Sequence, residues 1–192
     1  MYEQITNSLV NHGYIIINDA FDTKLCTRLL SLAQDETKYH KAGISNSANL
    51  HIDRSKRSDK TRWIDEDGQT QSDYLSYMHG LQTYLNRSLY LGLSFYESHF
   101  AIYEKGDFYE KHLDSFKGSK NRIVTSVYYL NDDWHTEDAG ELIIYDENSV
   151  KIIQVEPKGN TLVIFMSEKF PHEVLKVNKK RFSIAGWFRV DK

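Results

Sequence analysis

Residues 109–114 read Tyr-Glu-Lys-His-Leu-Asp, which places His112 and Asp114 two positions apart. On an extended strand alternate side chains leave the same face, so this imidazole and this carboxylate can reach one point. Two histidine nitrogens and one carboxylate oxygen on one side of an ion are the ligand set typical of non-haem iron(II). The stretch therefore predicts two of three metal ligands, and the third would be a histidine from elsewhere in the chain.

The third ligand is predicted at His172, where Phe170-Pro-His-Glu-Val174 follows a hydrophobic strand pattern. Arg181 then begins the strand-like run that ends at Phe188. A buried guanidinium needs an anion, and its planar fork matches a carboxylate with two parallel hydrogen bonds. Because H-x-D alone also arises by chance, the prediction depends on the whole ordered set and its strand context. That set indicates a metal site with an acid-bearing co-substrate.

Composition limits the classes of function. A chain of 192 residues suits one domain with a substantial core. Its net charge of −3 is unlike that of a nucleic-acid-binding surface. The single Cys26 excludes an internal disulfide framework and favours a reducing compartment, so we expect a cytoplasmic protein. No apolar run approaches the ~20 residues of a membrane span, and the first residues lack a signal-peptide pattern. We expect a monomer with neither membrane nor nucleic-acid contacts.

The order of the patterns predicts the fold class. Apolar residues at helical spacing occur at 2–11, after Asp22 and at 71–88, with Ser72 as the expected N-cap of the last helix. From about Ser94 the chain is a succession of short strands separated by turns. Helices followed by about eight strands predict an α+β fold, with a jelly-roll (cupin-like) barrel and the N-terminal helices packed on one sheet.

A polar segment, about residues 40–66, interrupts the helical half (1–92) before the barrel half (93–190). Its middle, 54–62, is basic and polar. Such a charge run is commonly a solvated loop, but long polar segments in compact domains are often lids or binding loops. We therefore predict a mobile flap over the site, tethered at Trp63, which forms either part of the entrance wall or a packed anchor.

Taken together, these stretches resemble the prolyl-hydroxylase branch of the Fe(II)/2-oxoglutarate-dependent oxygenases, which includes the animal oxygen-sensing hydroxylases and bacterial relatives. The similarity extends from about Arg57 to Arg189. The stretches that carry it are Arg57-Ser-Asp-Lys60, Trp63-Ile64, His112-Leu-Asp114, Val127-Tyr-Tyr-Leu-Asn131, Asp133-Trp134, Glu156-Pro-Lys158, Pro171-His-Glu-Val174 and Arg181 through Trp187.

The resemblance implies that residues 1–192 form a single oxygenase domain, a double-stranded β-helix backed by helices. It implies Fe(II) as the metal, 2-oxoglutarate and O2 as co-substrates, and ascorbate as a candidate reductant. Arg181 and Tyr129 would hold the distal carboxylate of 2-oxoglutarate, and Tyr103 would line the same pocket. A packed core tyrosine is the alternative role of Tyr129.

The implied reaction is hydroxylation of a prolyl residue in a protein, with release of succinate and CO2. Two alternatives remain at the level of the sequence. One is an oxygenase acting on a free amino acid or other small molecule, and the other is a non-catalytic jelly-roll module that binds a metal or ligand.

Five residues are expected to contact the substrate or form the flap: Arg57, Asp59, Trp63, Arg122 and Trp187. Asp59 is the only acid within 54–62, and Arg122 begins a barrel strand. The family carries matching residues at both positions, so the resemblance implies an Asp59–Arg122 pair that closes the flap against the barrel mouth.

Overall fold

The computed structural model describes residues 1–42, 44–46, 49–51, 56–115 and 121–190, with side chains described for 1–42, 56–115 and 121–190. In chain order its helices and strands are α1 (Tyr2–Asn11), β1 (Tyr14–Ile17), α2 (Thr23–Ala33), β2 (His40–Lys41), β3 (Ile44–Asn46), β4 (Asn49–His51), β5 (Lys60–Trp63), α3 (Gln69–Leu89), β6 (Phe95–Tyr103), β7 (Tyr109–His112), β8 (Arg122–Tyr129), β9 (Leu142–Tyr145), β10 (Lys151–Val155), β11 (Leu162–Met166), β12 (His172–Val174) and β13 (Arg181–Arg189). Short 3-10 helices lie at Glu36–Lys38 and Thr136–Asp138. Of the helices described, none combines the length and the apolar character needed to cross a membrane.

Two antiparallel sheets form the body of the protein. The major sheet has the strand order β1-β11-β8-β13-β6-β5-β2, and the minor sheet has the order β10-β9-β12-β7. Strands that are distant in sequence are neighbours in both sheets, as in a jelly roll. The expected α+β fold with a double-stranded β-helix is therefore confirmed.

The three helices contribute a continuous apolar layer against the major sheet. This layer includes the fully buried Leu29 of α2 and Tyr74 of α3, which join Phe100 of β6 and Ile184 and Phe188 of β13 in one cluster. Burying a side chain of this size contributes roughly 1.5–3 kcal/mol, so the layer holds the helices on the sheet. The prediction that the N-terminal helices pack on one sheet is confirmed.

The last strand alternates as its sequence predicts. Phe182, Ile184 and Phe188 belong to the helix-facing cluster. Because successive side chains of a strand point to opposite faces, the other set is directed toward the minor sheet. That set consists of Arg181, Ser183, Ala185 and Trp187.

The start of α3 differs from the sequence-based prediction. Asp22 caps α2, because its Oδ1 accepts the backbone N–H of Lys24 at 2.8 Å. Ser72, however, lies inside α3, which begins at Gln69 after Gly68, a residue with φ of 97°. The amide of Gln71 donates to main-chain and side-chain oxygens of the preceding turn. That turn starts the helix at Gln69, three residues before Ser72.

The polar segment is partly built into the sheets. Strand β5 pairs with β6 over Lys60–Trp63, and β2 pairs with β5 at the edge of the major sheet. Strands β3 and β4 form a separate two-stranded hairpin. Residues 54 and 55 lie outside the part of the chain that the structure describes, so the flap expected at 54–62 stays a prediction.

A substitution at Gly186 tests the packing of β13 against the helices. A Cβ at Gly186 would overlap the hydroxyl of Tyr96 and lie 2.5 Å from its Cζ. That hydroxyl is held by hydrogen bonds of 2.9 Å to the hydroxyls of Tyr74 and Ser126, so the ring cannot swing away. We expect Gly186→Ala to lower the free energy of unfolding by about 1–3 kcal/mol in urea denaturation.

The matched control is Gly80→Ala in α3. Its Cβ would lie 2.6 Å from the hydroxyl of Tyr2, which would have to shift and give up its exposed 2.8 Å bond to the carbonyl of Tyr77. Helix propensity favours alanine over glycine by roughly 0.5–1 kcal/mol and offsets that loss, so this variant should lose much less stability than Gly186→Ala. Equal unfolding free energies for the two variants would contradict the packing described here.

Candidate active site

Three potential metal ligands converge at one end of the minor sheet. His172 of β12 lies directly opposite His112 of β7 in the strand pairing. Asp114 Oδ1 lies 3.6 Å from the Nε2 of His112, and Asp114 Oδ2 lies 3.6 Å from the Nε2 of His172. One ligand atom from each residue falls within 4.8 Å of the others, a spacing that could hold a single metal ion.

The route by which Asp114 reaches this point differs from the sequence-based interpretation. Strand β7 ends at His112, and Asp114 lies in the bend that follows. Alternation along one strand therefore does not explain the convergence. The bend turns the carboxylate back toward the histidine that precedes it.

Both imidazoles are oriented by backbone carbonyls. The Nδ1 of His112 lies 2.8 Å from the carbonyl oxygen of Glu110, and the Nδ1 of His172 lies 3.0 Å from that of Phe170. A carbonyl oxygen only accepts, so each Nδ1 carries the proton and donates it. Each Nε2 therefore presents its lone pair, which is the tautomer that a metal ligand requires.

The surroundings of His112 and Asp114 keep both groups in the protonation state that binds a metal. Burial, with His172 close by, lowers the pKa of His112 to about 3. Burial raises the pKa of Asp114, but His172, His112 and Arg122 outweigh that effect and bring it down to about 2. At neutral pH the site thus holds a neutral imidazole at His112 beside an ionised carboxylate, and no proton must leave either group before a cation binds.

Arg181 lies in a second, adjoining part of the site and is 1% exposed. Its Cζ lies 4.8 Å from the ring centre of Tyr103 and 5.0 Å from that of Tyr129. One terminal nitrogen donates to the hydroxyl of Ser183 at 3.2 Å. Among the described residues, its Nε and the hydroxyl of Tyr129 have no hydrogen-bond partner. The structure thus brings Arg181, Tyr129 and Tyr103 together, as the resemblance implied.

This arrangement fits an acidic ligand. A buried charge without a partner costs several kcal/mol, and the ion pairs found in the described ranges include none with Arg181. Burial raises the pKa of Tyr129, although Arg181 acts in the opposite direction, so the hydroxyl keeps its proton at neutral pH. A carboxylate entering here would accept hydrogen bonds from both a guanidinium and a phenol.

The ion pair predicted between Asp59 and Arg122 is wrong. Asp59, 1% exposed, accepts two hydrogen bonds from Arg57, at 2.6 Å from Nε and 2.9 Å from a terminal nitrogen. Arg122 instead reaches Glu97 at 3.3 Å and lies 3.7 Å above the ring of Trp187. Arg57 is two residues from Asp59, so its guanidinium can bind this carboxylate without a contribution from the barrel strand that carries Arg122.

Residues 56–58 are hydrogen-bonded to the strand that carries the first histidine. The N–H of Glu110 donates to the carbonyl of Lys56 at 2.8 Å. The guanidinium of Arg57 lies 4.6 Å from the ring centre of Tyr109, and that ring stacks on His112 with centres 3.6 Å apart. Asp59, Arg57, Tyr109 and His112 form a continuous series of contacts, which we call the Asp59–His112 stack. This role of Tyr109 was not predicted, because a sequence shows which residues precede a ligand but not which ring packs on it.

Ring contacts link the exposed Trp63 to Trp187 through His99, and the sequence indicated only part of this series. Trp63 is 57% exposed, and its ring meets His99 edge-on with centres 5.3 Å apart. His99 also lies 5.4 Å from the ring of Trp187. Burial, together with nearby Arg57, lowers the pKa of His99 to about 4, so its ring is neutral. His99 was missed because its position opposite Trp63, in the pairing of β5 with β6, is set by the strand register and is not visible in the sequence.

Comparisons with known proteins agree with this geometry. Residues 98–189 match the family model described as the 2OG-Fe(II) oxygenase superfamily. Egl nine homolog 1 of Homo sapiens is 30% identical over 97% of this chain and 46% of its own length. The hypoxia-inducible factor prolyl hydroxylase of Caenorhabditis elegans is 37% identical over 46% of this chain and 12% of its own length. The chain spans less than half the length of these curated relatives.

Two solved structures are similar over nearly the whole chain. A prolyl-4-hydroxylase of Pseudomonas putida has 32% identity and a TM-score of 0.91, with all of both chains covered. A prolyl hydroxylase from Trichoplax adhaerens, solved with a peptide of the hypoxia inducible factor oxygen degradation domain, has 27% identity and a TM-score of 0.85. That match covers 98% of this chain and 88% of the other.

The burial of the Arg57–Asp59 pair allows a prediction about the free energy of unfolding. Asp59→Ala would leave the Arg57 guanidinium, whose side chain is 12% exposed, without its carboxylate. Removing one partner of a buried pair typically costs about 3–5 kcal/mol, and we expect a loss of that size in urea denaturation.

The matched control is Asp73→Ala, which removes the carboxylate of the exposed Arg28–Asp73 pair, formed at 2.8 Å. Exposed pairs contribute about 0–1 kcal/mol, so this variant should unfold almost as the wild type does. Similar small losses in both variants would show that the Arg57–Asp59 pair is not stabilising.

Proposed function

Because the chain belongs to the prolyl-hydroxylase branch of the 2OG-Fe(II) oxygenase superfamily, we propose that it hydroxylates a prolyl residue in a protein substrate. In the same reaction 2-oxoglutarate would be converted to succinate and CO2. The observation that carries the proposal is the combination of a three-ligand triad with a buried Arg181 that forms no ion pair within the part of the chain that the structure describes. A structural zinc site would be closed by four protein ligands and would need no buried cation beside it.

The triad fits Fe(II). His112 and His172 would each contribute Nε2, and Asp114 would contribute a carboxylate oxygen. Three protein ligands leave the remaining coordination positions for small molecules, as in other non-haem iron oxygenases. When bound, the metal together with 2-oxoglutarate and O2 supplies the oxidising chemistry, and ascorbate is proposed as the reductant that keeps it ferrous. The chain supplies the ligands, their tautomers and a dry surrounding.

Binding of 2-oxoglutarate would depend on Arg181 and Tyr129. The guanidinium offers its unpaired Nε to the distal carboxylate, and Tyr129 offers a protonated hydroxyl. Tyr103 forms a wall against the guanidinium and limits where the acid can lie. Because these groups are buried, their hydrogen bonds to a carboxylate are stronger than the same bonds in water.

Substrate recognition would take place around the exposed Trp63. In this proposal the substrate would contact the exposed indole, Trp187 and the Arg57–Asp59 pair. Aromatic faces suit the apolar ring of proline, and Arg122, stacked over Trp187, adds a positive charge for an acidic neighbour of the target. The relatives named above support a prolyl target. We further propose that the protein acts as a monomer in the cytoplasm.

The decisive experiment incubates the protein with Fe(II), 2-oxoglutarate, ascorbate, O2 and a proteome of its host. Succinate is measured, and mass spectrometry searches for added oxygen on proline. We expect both signals with the wild type and neither with His112→Ala. Turnover that survives His112→Ala would overturn the metal assignment. Succinate with modification only on other residues or small molecules would reject the prolyl substrate, and no turnover with any proteome would favour a non-catalytic module.

A separate prediction concerns the anion site. We expect Arg181→Ala to weaken 2-oxoglutarate binding at least ~100-fold, because losing a buried charge partner costs about 3–5 kcal/mol and 1.4 kcal/mol is a factor of ten. Binding of Mn(II), used as a redox-stable substitute for iron, should change less than about threefold, since Arg181 is not one of the three ligands. Calorimetric titration of the metal-free variants with Mn(II), and of the Mn(II)-loaded variants with 2-oxoglutarate, measures the two affinities.

Arg189→Ala is the matched control on the same strand. Arg189 pairs with Glu97 at 2.7 Å, so its removal should leave 2-oxoglutarate binding unchanged. If Arg181→Ala bound 2-oxoglutarate as tightly as Arg189→Ala, the distal carboxylate would have to be held elsewhere.

A further inference from the structure

Asp114 is the one member of the triad that does not belong to a strand. It lies in the bend after β7 and is 6% exposed, whereas His112 and His172 are fixed opposite each other by strand pairing. A metal ligand must be held within a narrow range of orientations to favour one geometry. The position of this carboxylate must therefore come from side-chain contacts.

A pair of buried hydroxyls supplies such contacts. Thr125 Oγ1 donates to Asp114 Oδ2 at 2.8 Å, and Ser167 Oγ lies 2.8 Å from the same Thr125 oxygen. A hydroxyl has one proton, and an ionised carboxylate can only accept. Thr125 therefore gives its proton to Asp114 and accepts from Ser167, so the direction of both bonds is determined.

Both hydroxyls are carried by rigid parts of the major sheet. Thr125 lies within β8, opposite Phe165 of β11 on one side and Trp187 of β13 on the other. Ser167 directly follows β11, and its N–H donates to the carbonyl of Ile123 at 3.0 Å. A β-branched threonine in a sheet has few rotamers, so its hydroxyl has a defined direction. The major sheet thereby contacts a ligand that belongs to a bend next to the minor sheet.

We propose that Thr125, supported by Ser167, is a positioning residue that sets the metal affinity of Asp114. The bond from Thr125 to Oδ2 holds the Asp114 carboxylate against rotation. Thr125→Val would keep the shape of the side chain but remove the donor, and it would leave the Ser167 proton without its acceptor. Loss of such an outer partner typically weakens metal binding 10–100-fold.

The test is titration of the purified variants with Co(II), whose visible absorption reports the ligand set and which needs no turnover. We expect Thr125→Val to bind Co(II) 10–100-fold more weakly, with an altered spectrum. Thr125→Ser, which keeps the hydroxyl and loses the methyl, should stay within about threefold of the wild type, and Ser167→Ala should fall between them. The control is Thr161→Val, the same change at a buried threonine whose hydroxyl bonds Asn18 at 3.3 Å.

Thermal unfolding without metal separates positioning from a purely structural role. If the hydroxyl only satisfied a buried acid, Thr125→Val would melt at a lower temperature and still bind Co(II) as tightly as Thr161→Val, which would overturn the proposal. Equal weakening in Thr125→Ser and Thr125→Val would also overturn it, because the methyl group would then be responsible.

Should Thr125→Val fail to fold, Ser167→Ala decides the matter. Weakened Co(II) binding with an altered spectrum supports positioning, and wild-type binding rejects it. The inference rests on the metal site alone, so failure to find a prolyl substrate would leave this result unaffected.

Discussion

The antiparallel pairing of β7 with β12 is the contact on which the site depends. It puts His172 opposite His112, and β12 in turn pairs with β9, where His172 faces Ile144. Strand β7 lies at the edge of the minor sheet, so β12 is the neighbour that ties it to the rest of that sheet. A shift of one residue in this pairing would send one imidazole to the opposite face. Two distant parts of the chain become one ligand pair only in this register.

Arg57 and Arg181 differ in whether a carboxylate neutralises their charge. Arg57 has its carboxylate at 2.6 Å in Asp59, whereas Arg181, fully buried, has only the hydroxyl of Ser183 and two aromatic rings among its described neighbours. Because an unpaired buried charge is costly, the first arrangement stabilises the fold and the second is suited to receive an anion. The charge of Arg57 is thus neutralised by the protein itself, whereas the charge of Arg181 has no carboxylate among the described residues.

The parts of the site that follow strand alternation could be predicted from sequence. Arg181 and Trp187 lie on the face of β13 that is turned away from the helices, because the alternate residues Phe182, Ile184 and Phe188 are apolar and pack under the helices. The convergence of His112 with His172 was predicted from the order and type of residues rather than from their geometry. The faces of Arg181 and Trp187 could be predicted because alternation is a local property of the chain.

The errors and omissions concern choices that depend on distance in three dimensions. Asp59 could pair with any nearby cation, and charge alone did not distinguish Arg57 from Arg122. The bond from Thr125 to Asp114 depends on how the bend after β7 turns, which no local sequence pattern indicates. The predicted Ser72 cap failed for a related reason, since a glycine with positive φ can start a helix earlier than a side-chain cap.

The Asp59–His112 stack has a thermodynamic consequence. Arg57 belongs at once to the segment on the entrance side and, through Tyr109, to the surroundings of a metal ligand. A molecule that moves residues 56–59 when it binds must change the contacts of His112. Linkage between two binding equilibria is reciprocal, so an ion on His112 would alter the affinity for that molecule by the same factor. Metal binding at His112 and binding of a molecule at residues 56–59 would then be linked by a single coupling free energy.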